Sequence, residues 1–429
     1  MQNLSIYLPP FAGDYSGACS VLYDLNCLVV LCDAACCTRN YINYEEPRWS
    51  PDKRTTLCAQ LRTIQVVTGD DSRIIAQSIE AAQSRGAEFI VLLGSPVPAL
   101  TGMDMAGMAR KIEHDSGIPA AGLHTTGFAD YAAGISQALL AVYKKFVKPA
   151  EEKVEKGINI LGATPIDLGI TGNAERIGQA FANAGYRVLC NYAYGYSLDA
   201  VRRSAAAEQN IVVTASGLPL AKKMQADLGI PYVTGMPVGP DGAVQMLSDI
   251  EAGADVLKPD GTDAADTVQA AGPGAVDVPE PAGSGTADAL EPAGRDDATA
   301  GKAAGRGYAS GRLLLTGDQV IAHSVRQALL RKGFTGEIDI AGFFKMDPSL
   351  LQAGDKRLRG EKDLIEMVSA GGYSAVIGDP LLRGIPQIAG MRFYALPHPA
   401  ISGEFAWEQV PVFASNDFDS FLEQIVAEV

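Results

Sequence analysis

Residues 11–41 read FAGDYSGACSVLYDLNCLVVLCDAACCTRNY and contain five of the seven cysteines of the chain: Cys19, Cys27, Cys32, Cys36 and Cys37. Residues 26–31 predict a short buried strand, because an unbroken apolar run between turn-forming residues is typical of parallel sheets. The segment 32–37 therefore lies where a strand ends and a loop begins, and ligands of open α/β sheets bind at that end. Thiolates crowded there favour a soft metal centre, above all an iron–sulfur cluster.

Packing is the alternative role for each of these thiols, since free cysteine often behaves as a small buried apolar residue. We predict packing for Cys27, inside the strand, and for Cys58 and Cys190. For the adjacent pair Cys36 and Cys37 we predict a metal ligand, although only one of two adjacent side chains is expected to face a cluster. The cysteine spacing matches neither a zinc ribbon nor a ferredoxin run.

Length and composition narrow the class of protein. The 429 residues predict two to four domains, and 47% hydrophobic residues are enough for buried cores. A net charge of −15 without a basic block argues against binding to nucleic acid or to an anionic membrane surface. No export signal or membrane-spanning apolar run is present, and seven cysteines, an odd number, indicate the reducing cytoplasm rather than a disulfide framework.

Strand and helix patterns alternate along most of the chain, which predicts an α/β fold with parallel sheets in Rossmann-like domains. The clearest strands are EFIVLLG at 88–94 and RLLLT at 312–316, and the last one that we predict is VPVFA at 410–414. The predicted division is a first domain with the cysteine-rich loop, a second domain, a linker and a third domain, at 1–156, 157–257, 258–309 and 310–429. The linker is rich in Ala, Gly, Asp and Pro and nearly lacks large apolar residues, so we predict that it is disordered.

Several motifs, in the order in which they occur along the chain, resemble those of component 1 of nitrogenase and its relatives. DYSGA at 14–18 resembles the turn after the family's first cluster cysteine, and LVVLCDAAC at 28–36 resembles its strand and second cluster cysteine. The stretches LLGSPVPALTGMDM and IPAAGLHTTGF resemble the passage around the family's third cluster cysteine. The resemblance continues through NILG, VVTASGLPLAKKMQADLGIPY, PVG, YSAVIGD and HPAISGEFAWEQVPVFASNDFD, and it implies three Rossmann-like domains with parallel sheets.

The resemblance implies an iron–sulfur cluster, although the ligand positions are only partly kept. The family's first cysteine falls at Gly13 and its third at Ser95 or Pro96, whereas the second falls at Cys36 or Cys37. A 4Fe–4S cluster shared across a dimer interface needs two ligands from each subunit. Cys19 and one of the adjacent pair would provide them, with Cys32, Asp14 or Ser95 as substitutes.

A second metal site of the family departs further. The cysteine that holds the iron–molybdenum cofactor falls at Val213 or Thr214, so that cofactor is not expected here. His398, in PHPAISG, falls on or beside the family's histidine ligand and is the candidate cofactor-binding residue. A loop histidine held by backbone groups is the alternative.

The implied activity is that of the catalytic component of a nitrogenase-like reductase. The chain has no Walker A loop, so an ATP-hydrolysing iron-protein partner would deliver the electrons to an oxidoreductase that acts as a homodimer or a paralogous heterodimer. The implied substrate is a small molecule or a tetrapyrrole in the cleft between the domains. The alternatives are a scaffold for cofactor assembly and a binding protein of the same fold that has lost the cluster.

Overall fold

The computed structural model describes residues 5–49, 56–251 and 311–429. The predicted linker therefore lies outside the described residues. Within those ranges the helices are α1 (Asp14–Leu22), α2 (Cys36–Asn40), α3 (Thr63–Thr68), α4 (Ser72–Arg85), α5 (Pro96–Thr101), α6 (Met105–Ser116), α7 (Tyr131–Phe146), α8 (Pro165–Leu168), α9 (Asn173–Asn183), α10 (Leu198–Arg203), α11 (Leu218–Leu228), α12 (Gly242–Glu251), α13 (Gln319–Arg331), α14 (Glu361–Gly371), α15 (Pro386–Ala389), α16 (Pro399–Ser402) and α17 (Asn416–Glu428).

The strands form three sheets in which all pairings are parallel. They are β1 (Cys27–Cys32), β2 (Thr56–Cys58), β3 (Phe89–Gly94), β4 (Ala120–Leu123), β5 (Gly157–Leu161), β6 (Arg187–Asn191), β7 (Gln209–Val212), β8 (Tyr232–Thr234), β9 (Arg312–Thr316), β10 (Glu337–Gly342), β11 (Lys356–Arg357), β12 (Ala375–Gly378) and β13 (Arg392–Ala395). The strand orders are β2-β1-β3-β4, β6-β5-β7-β8 and β11-β10-β9-β12-β13. The predicted α/β fold with parallel sheets is confirmed, while the domain boundaries stay predictions.

The first sheet is buried on both faces, which explains the unbroken apolar run of β1. Val29 and Leu31 pack on the side covered by α1 and α7. Leu28 and Val30 point the opposite way and pack with side chains of α4 and α6. Because successive side chains of a strand alternate between faces, neighbouring residues of β1 belong to different cores.

Helices α1 and α7 approach each other closely at two glycines. A Cβ atom on Gly17 would lie 2.0 Å from the carbonyl oxygen of Tyr131, and one on Gly134 would lie 1.7 Å from that of Asp14. The resemblance predicted a turn at residues 14–18, which is wrong because this segment is the first turn of a buried helix. Its small residues permit the contact with α7.

The strand predicted at VPVFA is also wrong. Its backbone bonds to the start of α9 and to a loop, and not to a sheet: the Phe413 N–H donates to the side-chain oxygen of Asn173, 3.0 Å away, and the Phe413 carbonyl accepts from the Gly239 N–H, 2.8 Å away. The ring of Phe413 packs against Phe418 of α17. The apolar run is therefore a buried loop between the second and third sheets.

None of the helices in the described ranges combines the length and the apolar character needed to cross a membrane.

Candidate functional site

The loop after β1, residues 33–37, exposes the adjacent thiols, and we call it the thiol loop. Asp33 organises it, because one of its carboxylate oxygens accepts from the N–H groups of Ala35 and Thr38, each 3.1 Å away. Ala35 has a φ of 157°, which a residue with a side chain rarely adopts. Cys36 at the start of α2 is exposed, and Cys37 is half-buried. The loop therefore presents two neighbouring sulfurs at the carboxyl edge of the first sheet.

Tyr15 occupies the space beside these thiols. A Cβ atom on Gly13, where the family has its first cysteine, would lie 3.3 Å from the Tyr15 ring. The Tyr15 hydroxyl is hydrogen-bonded to the Cys37 thiol. Burial and the nearby Asp33 raise the pKa of Cys37, and the bond from Tyr15 partly opposes them. Without a metal ion this sulfur is consequently a protonated thiol.

The other two predicted ligands lie in the protein core. Cys19 is buried in α1, on the face of the first sheet that α1 and α7 cover. Cys32 is the last residue of β1 and packs on the opposite face with side chains of α4 and α6. Burial raises the pKa of Cys19 and raises that of Cys32 to about 12. The structure thus brings Cys36 and Cys37 together, whereas Cys19 and Cys32 are separated from each other by the sheet.

The predicted substitute ligands already have hydrogen-bond partners. The carboxylate of Asp14 accepts from the N–H groups of Thr126 and Gly127, each 2.7 Å away, and so fixes the loop before α7. The Ser95 hydroxyl is buried and donates to the carbonyl of Cys32, 2.9 Å away. These side chains therefore hold the fold together at the positions of the predicted substitute ligands.

No three His, Cys, Asp or Glu side chains of the described residues are placed to hold a metal ion together. The cluster that the resemblance implies is shared between two subunits, and it would take the rest of its ligands from the second one. Cys36 and Cys37 fit that role chemically, since they are soft donors at the surface, and two such pairs make four thiolates. The same edge of the sheet carries exposed large apolar side chains, which often mark a protein interface: Ile64, Val67, Val97, Leu100 and Phe128.

A second group of polar residues lies where the three sheets meet, which we call the junction: Tyr131, Thr164, Asp167, Ser216, Asp318 and His398. Most of them follow the carboxyl ends of strands, as ligand-binding residues of open α/β sheets do. Asp167 follows β5, Asp318 follows β9 and His398 follows β13. Tyr131 lies at the start of α7, which covers one face of the first sheet. The part of the chain that forms this sheet thus also contributes a side chain to the junction.

Asp167 is at the centre of the junction and is buried. Its Oδ1 accepts a hydrogen bond from the Tyr131 hydroxyl, 2.5 Å away, and its Oδ2 is 2.6 Å from the Thr164 hydroxyl. Burial, with the nearby charge of Asp318, raises the pKa of Asp167 to about 8. Burial raises the pKa of Asp318 itself to about 6, although Asp318 accepts three backbone N–H groups. The carboxyl group of Asp167 therefore tends to keep its proton at neutral pH.

His398 uses both ring nitrogens within the chain. Nδ1 accepts from the N–H of Ala400 at the start of α16, 3.2 Å away. The proton of the neutral ring is then on Nε2, which lies 3.3 Å from the Tyr131 hydroxyl and 3.7 Å from Oδ1 of Asp167. Burial lowers the pKa of His398 to about 4, so the ring is neutral at physiological pH. Its role in binding a cofactor stays a prediction.

A small cavity lies against these groups. Asp167, Asp318 and His398 line it together with Gly317 and Phe413. Its volume of about 10 Å³ is that of roughly one water molecule.

Helices α1 and α7 connect the thiol loop with the junction. At the start of α1, Gly13 pairs with Asp130, and the Tyr131 N–H donates to the carbonyl of Ala12, 3.1 Å away. Tyr15, two residues after Gly13, forms a hydrogen bond with Cys37, and the Tyr131 hydroxyl donates a hydrogen bond to Asp167. A short, continuously packed path therefore joins the exposed thiols to the buried acid.

Sequence reasoning identified His398 but missed Asp167, Tyr131 and Asp318. The motif LLLTGD was a usable signal for Asp318, because it puts a carboxylate directly after a buried strand. Asp167 and Tyr131 carry no such signal, since they meet only when separate sheets pack together.

Comparisons with known proteins agree with this architecture. The family description "Nitrogenase component 1 type Oxidoreductase" matches residues 14–274, more than half of the chain. The chain belongs to this family. Two solved structures of nitrogenase Cp1 share the fold. The one at pH 5 has 14% identity and a TM-score of 0.63 over 99% of this chain and 89% of its own. The one at pH 6.5 has 9% identity and a TM-score of 0.66 over 100% and 94%.

No curated protein matches the sequence. Members of the family generally bind metal–sulfur clusters and work in oligomers with an iron-protein partner.

Proposed function

We propose that this protein is the catalytic component of a nitrogenase-like reductase, which takes electrons at its thiol loop and reduces a small molecule at the junction. The observation that carries the proposal is the packed path through the starts of α1 and α7. It joins Cys37, through Tyr15, to Tyr131 and Asp167. Electrons that enter at the surface would thus reach a buried site that also offers a proton.

The sequence predicted Cys19 and only one of the adjacent thiols as ligands, but Cys19 is buried in α1. In this proposal both Cys36 and Cys37 of each of two subunits therefore hold a 4Fe–4S cluster at the dimer interface. When bound, such a cluster stores and passes on single electrons. Tyr15 orients the sulfur of Cys37 through its hydroxyl, and Asp33 fixes the turn that exposes both thiols. The apolar side chains around the loop would be covered by the second subunit or by the ATP-dependent iron-protein partner.

The size of the cavity favours a small substrate over a tetrapyrrole. Pockets that bind molecules of drug size have volumes of about 300–1,000 Å³. The junction offers about 10 Å³, and a tetrapyrrole would have to separate the sheets and expose their buried carboxyl groups. His398 and Asp167 line the cavity and would contact the substrate directly.

Two other functions compete with this one. A cofactor-assembly scaffold would bind the cluster but would not turn over, and a binding protein without a cluster would need no thiol ligands. The free thiols fit the predicted cytoplasmic location, where cysteines stay reduced.

The test is iron binding under anaerobic conditions. Reconstituted protein should be brown and contain on the order of four irons per dimer, the count for one shared cubane. Serine at both Cys36 and Cys37 should abolish the colour, because a hydroxyl replaces a soft ligand poorly. Cys58→Ser is the matched control, since this half-buried thiol lies on β2 and bonds the carbonyl of Asp33.

Each outcome separates the candidate functions. A colourless parent protein whose Cys36 and Cys37 are freely alkylated after reconstitution would contradict the proposal and favour the binding protein. Bleaching by Cys58→Ser to the same extent as the double variant would show that the thiol loop is not the specific site. A brown protein that accepts electrons but reduces no substrate would favour the scaffold.

A further inference from the structure

A groove runs along one edge of the first sheet, where β4 is the outermost strand. Residues of β4 form its floor, while α6 and α7 form its two walls. Its volume of about 360 Å³ falls in the range of about 300–1,000 Å³ that is usual for pockets that bind small molecules. None of its lining residues belongs to the thiol loop or to the junction, so the groove is a separate site.

The floor of the groove offers backbone hydrogen-bonding groups. The Ile90 N–H of β3 donates to the carbonyl of Pro119, 2.9 Å away, so the backbone groups of Pro119 point towards β3. In a parallel ladder, every second residue of an edge strand then points its N–H and C=O groups away from the sheet. In β4 these residues are Ala120 and Gly122, which both line the groove. Their small side chains leave the outward backbone groups open to a ligand.

The walls of the groove carry positive charge, although the net charge of the chain is −15. Arg110 belongs to α6, and Lys144 and Lys145 belong to α7. Among the described lining residues the acid is Glu113, and it already pairs with Lys145, 2.6 Å away. Asp104 lies 3.6 Å from Arg110, but both side chains are largely exposed, and such a pair contributes little. Both walls therefore keep an excess of positive charge.

We propose that this groove binds an anionic small molecule with an apolar body. The anionic group lies between Arg110 and Lys144, on opposite walls, and the apolar body covers the floor and Leu140. An added peptide strand fits less well, because β4 has only four residues. In addition, the ion pair of Glu113 with Lys145 bridges the two helices at the end of the groove where β4 begins. The site does not depend on a cluster at the thiol loop.

Two fluorescent probes that differ by one charged group test this proposal. Anilinonaphthalene sulfonate carries an anionic sulfonate, and N-phenylnaphthylamine has the same ring systems without it. In fluorescence titrations of the full chain, the sulfonate probe should bind at a saturable site. A parent protein that shows no saturable binding of this probe would overturn the proposal.

Removal of the two cations should weaken binding of the sulfonate probe alone. In Arg110→Gln/Lys144→Gln its dissociation constant should rise about fivefold, as expected for the loss of contacts to two exposed charges. The dissociation constant of the neutral probe should stay as in the parent. An unchanged affinity for the sulfonate probe, or an equal loss for both probes, would overturn the role of the cations and the proposal with it.

Lys111→Gln is the matched control for these charges. Lys111 is an exposed cation of α6 that pairs with Asp115, 3.0 Å away, and it does not line the groove. At physiological ionic strength, separated exposed charges are largely screened, so this variant should bind both probes like the parent. A loss as large as that of the double variant would show that the probe responds to the charge of the whole chain, which would also overturn the proposal.

A variant that fills the groove tests where the apolar body lies. Ala106 is half-buried near the start of α6 and lines the groove. Ala106→Leu should weaken both probes by about tenfold, since the longer side chain occupies the space that they need. If it bound both probes like the parent, they would lie elsewhere, for example on the exposed Val97 and Leu100, and the proposal would fail. Circular dichroism checks that the variant is folded, and the charge variants, which change only exposed side chains, decide the question if it is not.

Discussion

The thiol loop and the junction both lie at carboxyl ends of parallel strands, but they differ in exposure and in hydrogen bonding. Cys36 is exposed, and Cys37 is half-buried beside Tyr15. At the junction Asp167 is buried and has short contacts to Tyr131 and Thr164. The same position in the fold therefore carries an exposed pair of thiols in one region and a buried group of hydrogen-bonded polar side chains in the other.

This difference has an electrostatic consequence. Burial raises the pKa of Asp167 and lowers that of His398, so the junction tends to be neutral around pH 7. A neutral, buried site can hold a proton that a charged carboxylate would have lost. At the thiol loop a metal ion would remove the proton from the sulfur instead, because only the thiolate is a ligand.

The largest change in stability should come from a substitution that disrupts the contact between α1 and α7, which connects the two regions. Gly134→Ala puts a Cβ atom 1.7 Å from the backbone oxygen of Asp14, which no rotamer change can relieve. We expect the free energy of unfolding to fall by about 3 kcal/mol, as in overpacked cores. Urea denaturation of the cluster-free protein measures it.

Gly178→Ala in α9 is the matched control. Its Cβ atom would meet only the end of the Ile160 side chain, 4.0 Å away. Alanine in place of a helical glycine should stabilise the protein by up to about 1 kcal/mol. If both variants had the same stability, the close contact of α1 and α7 would be absent in solution.

The second prediction concerns the pH dependence of stability. The pKa of Asp167 is raised from 3.8 to about 8 in the folded protein, so the folded state binds this proton more tightly than the unfolded chain. Its contribution is present in full below pH 3.8 and is lost as the pH rises to about 8. Between pH 6.5 and 8 the free energy of unfolding should fall by up to about 1.4 kcal/mol per pH unit. Asp167→Asn should flatten this slope.

The pH window separates Asp167 from the other two titratable groups of the junction, His398 and Asp318. The pKa of His398 is lowered from 6.5 to about 4, so its contribution has the opposite sign and changes only below pH 6.5. The pKa of Asp318, about 6, is also below the window. Asp70→Asn is the control, since the lowered pKa of this exposed group predicts no change there. An equal slope in the parent and in Asp167→Asn would mean that Asp167 titrates normally.

The smallest expected changes in stability come from removing one hydroxyl group from each region. Thr164→Val removes the partner of Oδ2 of Asp167 and should cost about 1 kcal/mol, the usual net value of a buried hydrogen bond. Thr101→Val removes a hydroxyl that bonds the carbonyl of Val97 on the exposed helix α5. It should change the free energy of unfolding by less than about 0.5 kcal/mol. Thermal unfolding at pH 6.5 measures both, and equal effects would mean that the junction is as open to water as the surface.

Sequence by itself determined the parallel α/β architecture and the position of the thiol loop. An apolar run, the turn after it and adjacent cysteines are local patterns that the sequence shows directly. A strand that is buried on both faces must be apolar along its length, so it always contains such a run. The same reasoning located Cys36 and Cys37 at the carboxyl end of β1. It placed VPVFA in a strand because a buried loop can be as apolar as a buried strand.

Only the tertiary structure decided which polar groups meet. The alternation of β1 placed Cys32 on the face of the sheet opposite Cys19, a distinction that spacing in the sequence could not make. Tyr131 and Asp167 are 36 residues apart, and Tyr131 and His398 are 267 apart, yet they share hydrogen bonds at the junction. Burial and the nearby charge of Asp318 set the pKa of Asp167, and both arise only when the three sheets pack against one another.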